Sequence, residues 1–282
     1  MSRSFADRGF SALVWAGAGS GAAIVALILV FVAIESVPAL REVGGARFLT
    51  DRGWYPAEGL YGLAPMILGS LAVTALALGL AGPAGVTCAV FCKFVAPPGV
   101  ARVFRVAIRL LSGIPSVVIG LWGLVTVAPW IAAWRPPGQS LAAGGLILAL
   151  MVLPTVSLTA DAALGAVPME TLRGAAALGL GRWAIVWRVA LPAARAGVLS
   201  GLVLALGRAL GETMAVLMVC GNDARIPRSL FDPVRPLTSH MALEMAYAMG
   251  THRSALFLSG LVLLLTVVVL VIGADRLVRN AG

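Results

Sequence analysis

The chain has 282 residues, of which 60% are hydrophobic and 12% charged, and its net charge is +9. A soluble domain carries about a quarter charged residues, and no water-soluble fold of this length hides so much apolar surface, so the bilayer is the solvent to reason with. The positive charge comes from Arg residues and a single Lys that flank apolar runs, which favours membrane orientation over nucleic-acid binding.

A membrane helix needs about 20 mostly apolar residues. Runs of that kind predict six spans and an all-α polytopic membrane protein. The first covers Leu13–Ile34, without a convincing small-residue cleavage site, so it is read as a retained helix. A polar stretch, Glu35–Gly59, follows. The second span, Pro65–Phe94, is expected to kink or break at Gly82-Pro83. The third, Val103–Trp134, is too long for one crossing and contains Gly113-Ile114-Pro115, which predicts a broken or strongly tilted helix. Arg135-Pro136-Pro137-Gly138 is a turn. The fourth span is Ser140–Leu158, the fifth Ala196–Cys220 and the sixth Ala255–Ala274. Cys88 and Cys92, one helical turn apart in the second run, read as small buried hydrophobes. His240 and His252, in the polar segment Asn222–Arg253, read as ordinary loop histidines. No metal site is expected.

Six spans put both termini on one side. With the termini inside, the inner segments carry Arg3, Arg8, Lys93, Arg102, Arg105, Arg109, Arg173, Arg182, Arg188, Arg195, Arg276 and Arg279. The outer ones carry Arg41, Arg47, Arg52, Arg135, Arg225, Arg228, Arg235 and Arg253. This excess predicts cytoplasmic termini.

The segment Asp161–Arg195 interrupts the apolar pattern. Two short helical pieces fit on either side of Gly179-Leu180-Gly181, with Pro168 starting the first and Pro192 marking the approach to span five. From spacing alone the pair is either a docking element or an amphipathic loop lying on lipid. The stretch resembles the EAA coupling loop of type I ABC importer permeases, in which Glu-Ala-Ala, three residues and Gly precede an Ile and a Leu-Pro. Ala175, Gly179, Ile185, Leu191 and Pro192 fit the pattern; Arg173 stands where it has Glu and Gly174 where it has the first Ala.

Tyr61–Leu71, Gly113–Gly120 and above all Gly207-Arg-Ala-Leu-Gly-Glu-Thr-Met-Ala-Val216 resemble the phosphate-specific transporter (Pst) permeases, the last string being similar to the PstC type of subunit. The likeness runs from about Phe10 to Arg279. It implies a MetI-like fold, with residues 1–64 forming an N-terminal helix and outer loop and residues 65–279 the transmembrane domain, including a coupling loop at about 161–195. It also implies a multi-pass protein of the bacterial inner membrane that imports inorganic phosphate. Its partners would be a PstA-like permease, two PstB-like ATPases and a PstS-like periplasmic phosphate-binding protein. In such an assembly Ala175, Gly179, Arg182 and Trp183 would contact the ATPase. A permease for molybdate or a phosphonate, the PstA-type partner, and a secondary transporter without an ATPase are the alternatives.

The chain is not expected to be an enzyme and has no catalytic residues to assign. A P-loop needs Gly-x4-Gly-Lys-[Ser/Thr], and Lys93, the one lysine, stands between Cys92 and Phe94. No cofactor is expected on this chain; ATP and Mg would belong to the partner ATPase. Arg208 and Glu212 are four apart inside span five, hence on one face of an uninterrupted helix. Charges at membrane depth are costly, about 2.5–3.5 kcal/mol for the costlier types. The two are therefore either an ion pair that locks helices together or pathway and gate residues for an anion, Glu212 being the resting partner of Arg208. Thr213 and Ser116 join them as pathway candidates, although Ser112, Ser116 and Thr126 also fit hydroxyls bonded back to their own helix. Gly197, Gly201, Gly207 and Gly211 have the spacing that brings helices close, unless they face lipid.

Overall fold

A computed structural model describes residues 5–281, with the side chains of residues 10, 11 and 13–276. Arg3 and the side chains of Arg8 and Arg279, counted above, lie outside that set. Five helical stretches are long and apolar enough to cross a membrane, and a sharply bent pair supplies a sixth. Helices satisfy every backbone group internally, as lipid requires.

In chain order, α1 (Phe5–Val43) is followed by the short α2 (Gly45–Thr50) and a two-residue hairpin, β1 (Trp54–Tyr55) against β2 (Leu60–Tyr61). Helix α3 (Ala64–Val90) continues through Gly82-Pro83, so the span does not break there. At Gly82 a methyl would come within 3.3 Å of the Leu202 side chain. A π-turn, Phe91–Val95, ends the span.

The third span is broken where expected. Helix α4 (Pro98–Ser112) meets α5 (Ser116–Trp122) at 94°, across Gly113-Ile114-Pro115. Proline disfavours helix in the residue before it, which ends α4. The crossing therefore consists of α5, a π-turn at Gly123–Val127 and α6 (Ala128–Ala132), about 26 Å in all. Helix α4 buries Ala101 and Ile108 and exposes Arg102 and Arg109. Arg105 is fixed by a two-pronged ion pair with Asp161, at 2.7 and 2.9 Å.

Helix α7 (Leu141–Gly165) is the central strut, packing on α3 and on the fifth span. It extends past the expected end at Leu158, so Asp161 lies within it. Only residues 166–181 remain as connection, holding α8 (Met169–Ala177). The second loop helix is not separate. Helix α9 (Arg182–Ile185), a π-turn at Val186–Ala190 and α10 (Leu191–Leu210) form one continuous span. The π-turn bonds the Leu191 N–H to the Val186 carbonyl, and Pro192, which has no N–H to give, follows directly. Pro192 is thus accommodated within the helix and marks no boundary. Span five is instead interrupted further on, at Gly211-Glu212-Thr213, before α11 (Met214–Val219).

A loop then leads to α12 (Leu237–Glu244), and α13 (Gly250–Ala281) packs beside α1. Three buried clusters stack along the bundle. One joins α12, α13 and the hairpin; the second surrounds α7 at mid-depth; the third ties the ends of α3 and α7 to α8 and the start of the fifth span. The molecule thus has an α12 end and an α8 end.

Candidate functional site

The interruption at residues 211–213 is built from small and polar residues. Glu212 donates its N–H to the Ala209 carbonyl at 3.3 Å, and α10 stops. The Glu212 carboxylate then accepts the Ala215 N–H at 3.2 Å, serving a donor that the start of α11 leaves free. Thr238 of α12 donates its hydroxyl to the Glu212 carbonyl at 2.7 Å, and the Leu237 N–H reaches Ser70 of α3 at 2.8 Å. The break is therefore clamped from the α12 end.

Helix α5 sets the depth of a second interruption. A methyl on Gly120 would lie 2.7 Å from the Ala215 Cα, and one on Gly123 would lie 2.9 Å from Val219. The two helices therefore run parallel in close register. Ser116, the first residue of α5, stands four residues before Gly120, and Gly211 and Glu212 stand four and three before Ala215. The α4–α5 break and the α10–α11 break thus each come shortly before the Gly120–Ala215 contact in the chain. Glu212 also borders a crevice shared with Leu148, about 10 Å along α7, so the site lies inside the span. Irregular backbone at such depth occurs where protein or a water-filled path surrounds it.

The four predicted residues lie at or next to the two breaks, and no hydrogen bond or ion pair joins them among the described residues. Arg208 and Glu212 do not form an ion pair. Because α10 ends between them, the carboxylate turns to the Ala215 N–H, and among the described residues Arg208 takes part in no ion pair or side-chain hydrogen bond; it is exposed on the surface of the chain. Thr213 bonds weakly within the break, its hydroxyl 3.4 Å from the Gly211 carbonyl. Ser112 is bonded back to the Arg109 carbonyl at 2.6 Å. No such bond holds Ser116, whose half-buried hydroxyl is without a partner among the described residues.

The predicted glycines divide. A methyl on Gly197 would press on Ala163 at 2.6 Å, and one on Gly201 would overlap the Thr159 hydroxyl, so this pair lets α10 lie against α7. Gly207 and Gly211 make no such approach.

At the α8 end, the connection closes with a Schellman turn. Gly179 takes φ +79°, its N–H bonds the Ala176 carbonyl, and the Leu180 N–H bonds that of Ala175. Leu172, Ala175, Val186 and Ala190 are buried. Ala175 therefore faces its own chain, contrary to the expectation that it contacts a partner. Arg173, Gly174, Gly179, Arg182 and Pro192 are exposed, and Ile185 and Leu191 are half-buried. Leu178, Trp183 and Trp187 present apolar side chains outward, Leu178 at 84% exposure. In a membrane chain such groups meet either lipid or a partner subunit.

Sequence reasoning missed a polar cluster at the α12 end. Glu244, nearly buried, accepts the Trp54 indole N–H at 2.6 Å and meets Arg235 and His252 at 2.8 Å each. His240 is fully buried, with both ring nitrogens unbonded and its ring edge-on to Trp54 at 4.3 Å. Burial, foremost, pushes its pKa down to about 4, against the opposing pull of Glu244 3.8 Å away; near neutral pH it is uncharged. These are not ordinary loop histidines. The i, i+4 spacing of His240 and Glu244 was visible in the sequence; the approach of Trp54 was not.

Comparison with known proteins agrees with this architecture. Residues 81–281 match the family described as binding-protein-dependent transport system inner membrane component. The chain is 36% identical over 245 residues to a probable ABC transporter permease of Bacillus subtilis, YqgH, covering 84% of this chain and 79% of that one. It is 35% identical over 257 residues to the phosphate transport system permease PstC of Pasteurella multocida, covering 83% and 80%. It is 33% identical over 317 residues to PstC 1 of Mycobacterium tuberculosis, covering 96% and 93%. Among solved structures, a chain of a bacterial alginate ABC transporter aligns with TM-score 0.69 at 15% identity, covering 99% of this chain and 98% of that one. A chain of the inward-facing MetNI methionine transporter aligns with TM-score 0.62 at 19% identity, covering 82% and 100%. At those identities the structures speak to the fold alone.

Proposed function

The chain belongs to the binding-protein-dependent transport system inner membrane component family, and on that premise we propose that it is the permease subunit through which an ATP-driven importer carries inorganic phosphate across the inner membrane. Permeases of this family work with an ATPase and a substrate-binding protein and are not enzymes themselves. The reading assigns a PstA-like permease, two PstB-like ATPases and a PstS-like binding protein as partners, with ATP and Mg held by the ATPase. The observation that carries the substrate is the run of relatives named for phosphate transport, at 33–35% identity over four-fifths of the chain or more.

The geometry adds a route. The breaks at Gly113–Pro115 and Gly211–Thr213 supply polar backbone and the Ser116 hydroxyl at membrane depth, the setting in which broken helices hold substrates in transporters. Arg208 supplies a guanidinium not already neutralised by Glu212. Its fixed fork of donors suits a phosphate oxyanion. Arg182, Trp183 and Leu178 at the α8 end receive the ATPase, on the cytoplasmic side with both termini. Closure there passes along the unbroken helix from Arg182 to Leu210 directly to the break.

The test is uptake of radiolabelled phosphate by proteoliposomes containing all four subunit types and ATP, with molybdate and sulfate as competitors. Saturable, ATP-dependent phosphate uptake resistant to both competitors is expected. Uptake of molybdate in preference to phosphate would overturn the substrate assignment.

A further inference from the structure

Arg52, Arg225 and Arg228 converge on a cleft of about 850 Å³ at the α12 end. They come from two distant segments: Arg52 from the turn between α2 and β1, the others from the loop joining α11 to α12. That loop is held firmly. The Asn222 N–H bonds the Val234 carbonyl at 3.1 Å, and the Val234 N–H bonds the Cys220 carbonyl at 2.8 Å. The carbonyls of Asp232 and Leu230 accept the Leu141 and Ala142 N–H groups at the start of α7, at 3.0 and 2.7 Å.

The two carboxylates of the cleft, Asp223 and Asp232, offset part of its charge and leave an excess of one guanidinium. Asp232 accepts the backbone N–H groups of Arg228 and Ser229, at 2.7 and 2.9 Å, and so is committed to the loop's own turn. Asp223 lies 3.6 Å from Arg225, a loose and largely exposed pair. Among the described residues Arg52 and Arg228 form no ion pair. The cleft also adjoins the route: the loop leaves the end of α11, and the Glu212 break lies at the other end of that helix, about 9 Å away.

We propose that this cleft is an oxyanion vestibule that holds inorganic phosphate, once released by the binding protein, over the mouth of the route to the Glu212 break. The inference rests on the phosphate-importer reading. Three guanidinia present forked donors that suit tetrahedral oxyanions. The cleft is far larger than one phosphate and open to water, so it works by field and not by fit. The guanidinia outnumber the carboxylates, and a concave surface with an excess of one charge raises the local concentration of the opposite ion, an effect that weakens as salt is added. Its use is retention: phosphate set free above the route stays there instead of escaping outward.

The experiment uses the complete complex in proteoliposomes with phosphate-loaded binding protein. Two quantities are read for the wild type, for R52Q/R225Q/R228Q and for R52K/R225K/R228K: phosphate moved per ATP hydrolysed, and the binding-protein concentration giving half-maximal ATPase stimulation. The Gln triple variant should lose several-fold in phosphate per ATP with the half-maximal concentration unchanged. The Lys triple variant should retain most of the wild-type ratio. Unchanged phosphate per ATP in the Gln variant overturns the proposal. A raised half-maximal concentration with unchanged phosphate per ATP makes the arginines a docking surface for the binding protein and overturns it too. If the wild type moves no phosphate, the substrate reading has failed, and the same comparison with the anion it does move decides the vestibule separately.

Discussion

Trp54 and Glu244, 190 positions apart in the chain, meet through a 2.6 Å hydrogen bond from the indole N–H to the buried carboxylate. The bond ties the hairpin after α1 to the segment that clamps the helix break, and Arg235 and His252 complete the carboxylate's shell. Removing one side of a buried ion pair typically costs 3–5 kcal/mol, because the other charge is left uncompensated. Losing one hydrogen bond to a charged group costs about 1.5–3 kcal/mol. Melting midpoints of the detergent-solubilised subunit should therefore fall in the order wild type, Trp54→Phe, Glu244→Leu. Indistinguishable midpoints would mean that the cluster does not hold the two segments together.

His240 gives that cluster a pH dependence. Its pKa is about 4 in the folded chain against an ordinary 6.5, so the unfolded chain binds the proton more readily. Stability should be constant above about pH 6.5 and fall as the pH drops from there toward 4, by at most about 1.4 kcal/mol per pH unit. The neighbours Glu244, Arg235 and His252 are common to wild type and variant. His240→Leu should flatten this part of the curve, measured by thermal melting across pH 4–8. An equally steep loss in the variant would assign the acid sensitivity to another group.

Orientation is tested by single-cysteine labelling in a background lacking Cys88, Cys92 and Cys220. Glu58, exposed beside the hairpin, and Arg182, exposed at the α8 end, occupy opposite ends of the bundle. An impermeant maleimide added outside intact cells should label a cysteine at Glu58 and not one at Arg182. The reverse pattern would invert the topology.

Much of this was legible because membrane spans are written in composition. The six apolar runs, the broken third span and the loop after span four needed only residue type and the Gly-Ile-Pro break at 113–115. Two kinds of feature were not legible. Proline effects depend on what the helix does around them: Pro83 and Pro192 were both read as interruptions, yet α3 continues past the first and a π-turn carries the helix past the second. Distant contacts have no local signature. Nothing around Trp54 announces Glu244, and nothing around Gly120 announces Ala215, although that contact packs α5 against α11. The Arg208–Glu212 expectation failed for a related reason. Their i, i+4 spacing has meaning only on a continuous helix, and Gly211 ends it.

The α8 end calls for a different substitution from the obvious one. Gly179 has φ +79°, so any side chain there is strained even though open space surrounds it; Gly179→Trp would damage the turn and leave docking undecided. Leu178 and Trp183 are exposed at 84% and 58%, and substitutions at such positions usually change stability by less than about 0.5 kcal/mol. Leu178→Asp and Trp183→Ala should leave insertion and melting intact, weaken co-purification of the ATPase and reduce uptake about tenfold, or ~1.4 kcal/mol in the barrier. Full uptake with normal ATPase association would instead assign this surface to lipid.

Arg208 carries the last prediction. In this conformation it is exposed and without a carboxylate, while Glu212 is occupied as the cap of α11. A cation left so at membrane depth is costly, and it is retained economically only if a partner permease or a passing anion meets it. Arg208→Gln should therefore reduce phosphate uptake at least about tenfold while the complex still assembles. Glu212→Gln should be much milder, because the amide oxygen still accepts the Ala215 N–H and α11 still starts in place. Arg208→Lys should fall between, keeping the charge but losing the fork. An ion pair locking helices predicts another pattern: both single variants fail to assemble, and the charge-swapped double variant recovers. Near-normal uptake by an assembled Arg208→Gln complex would remove Arg208 from the route altogether.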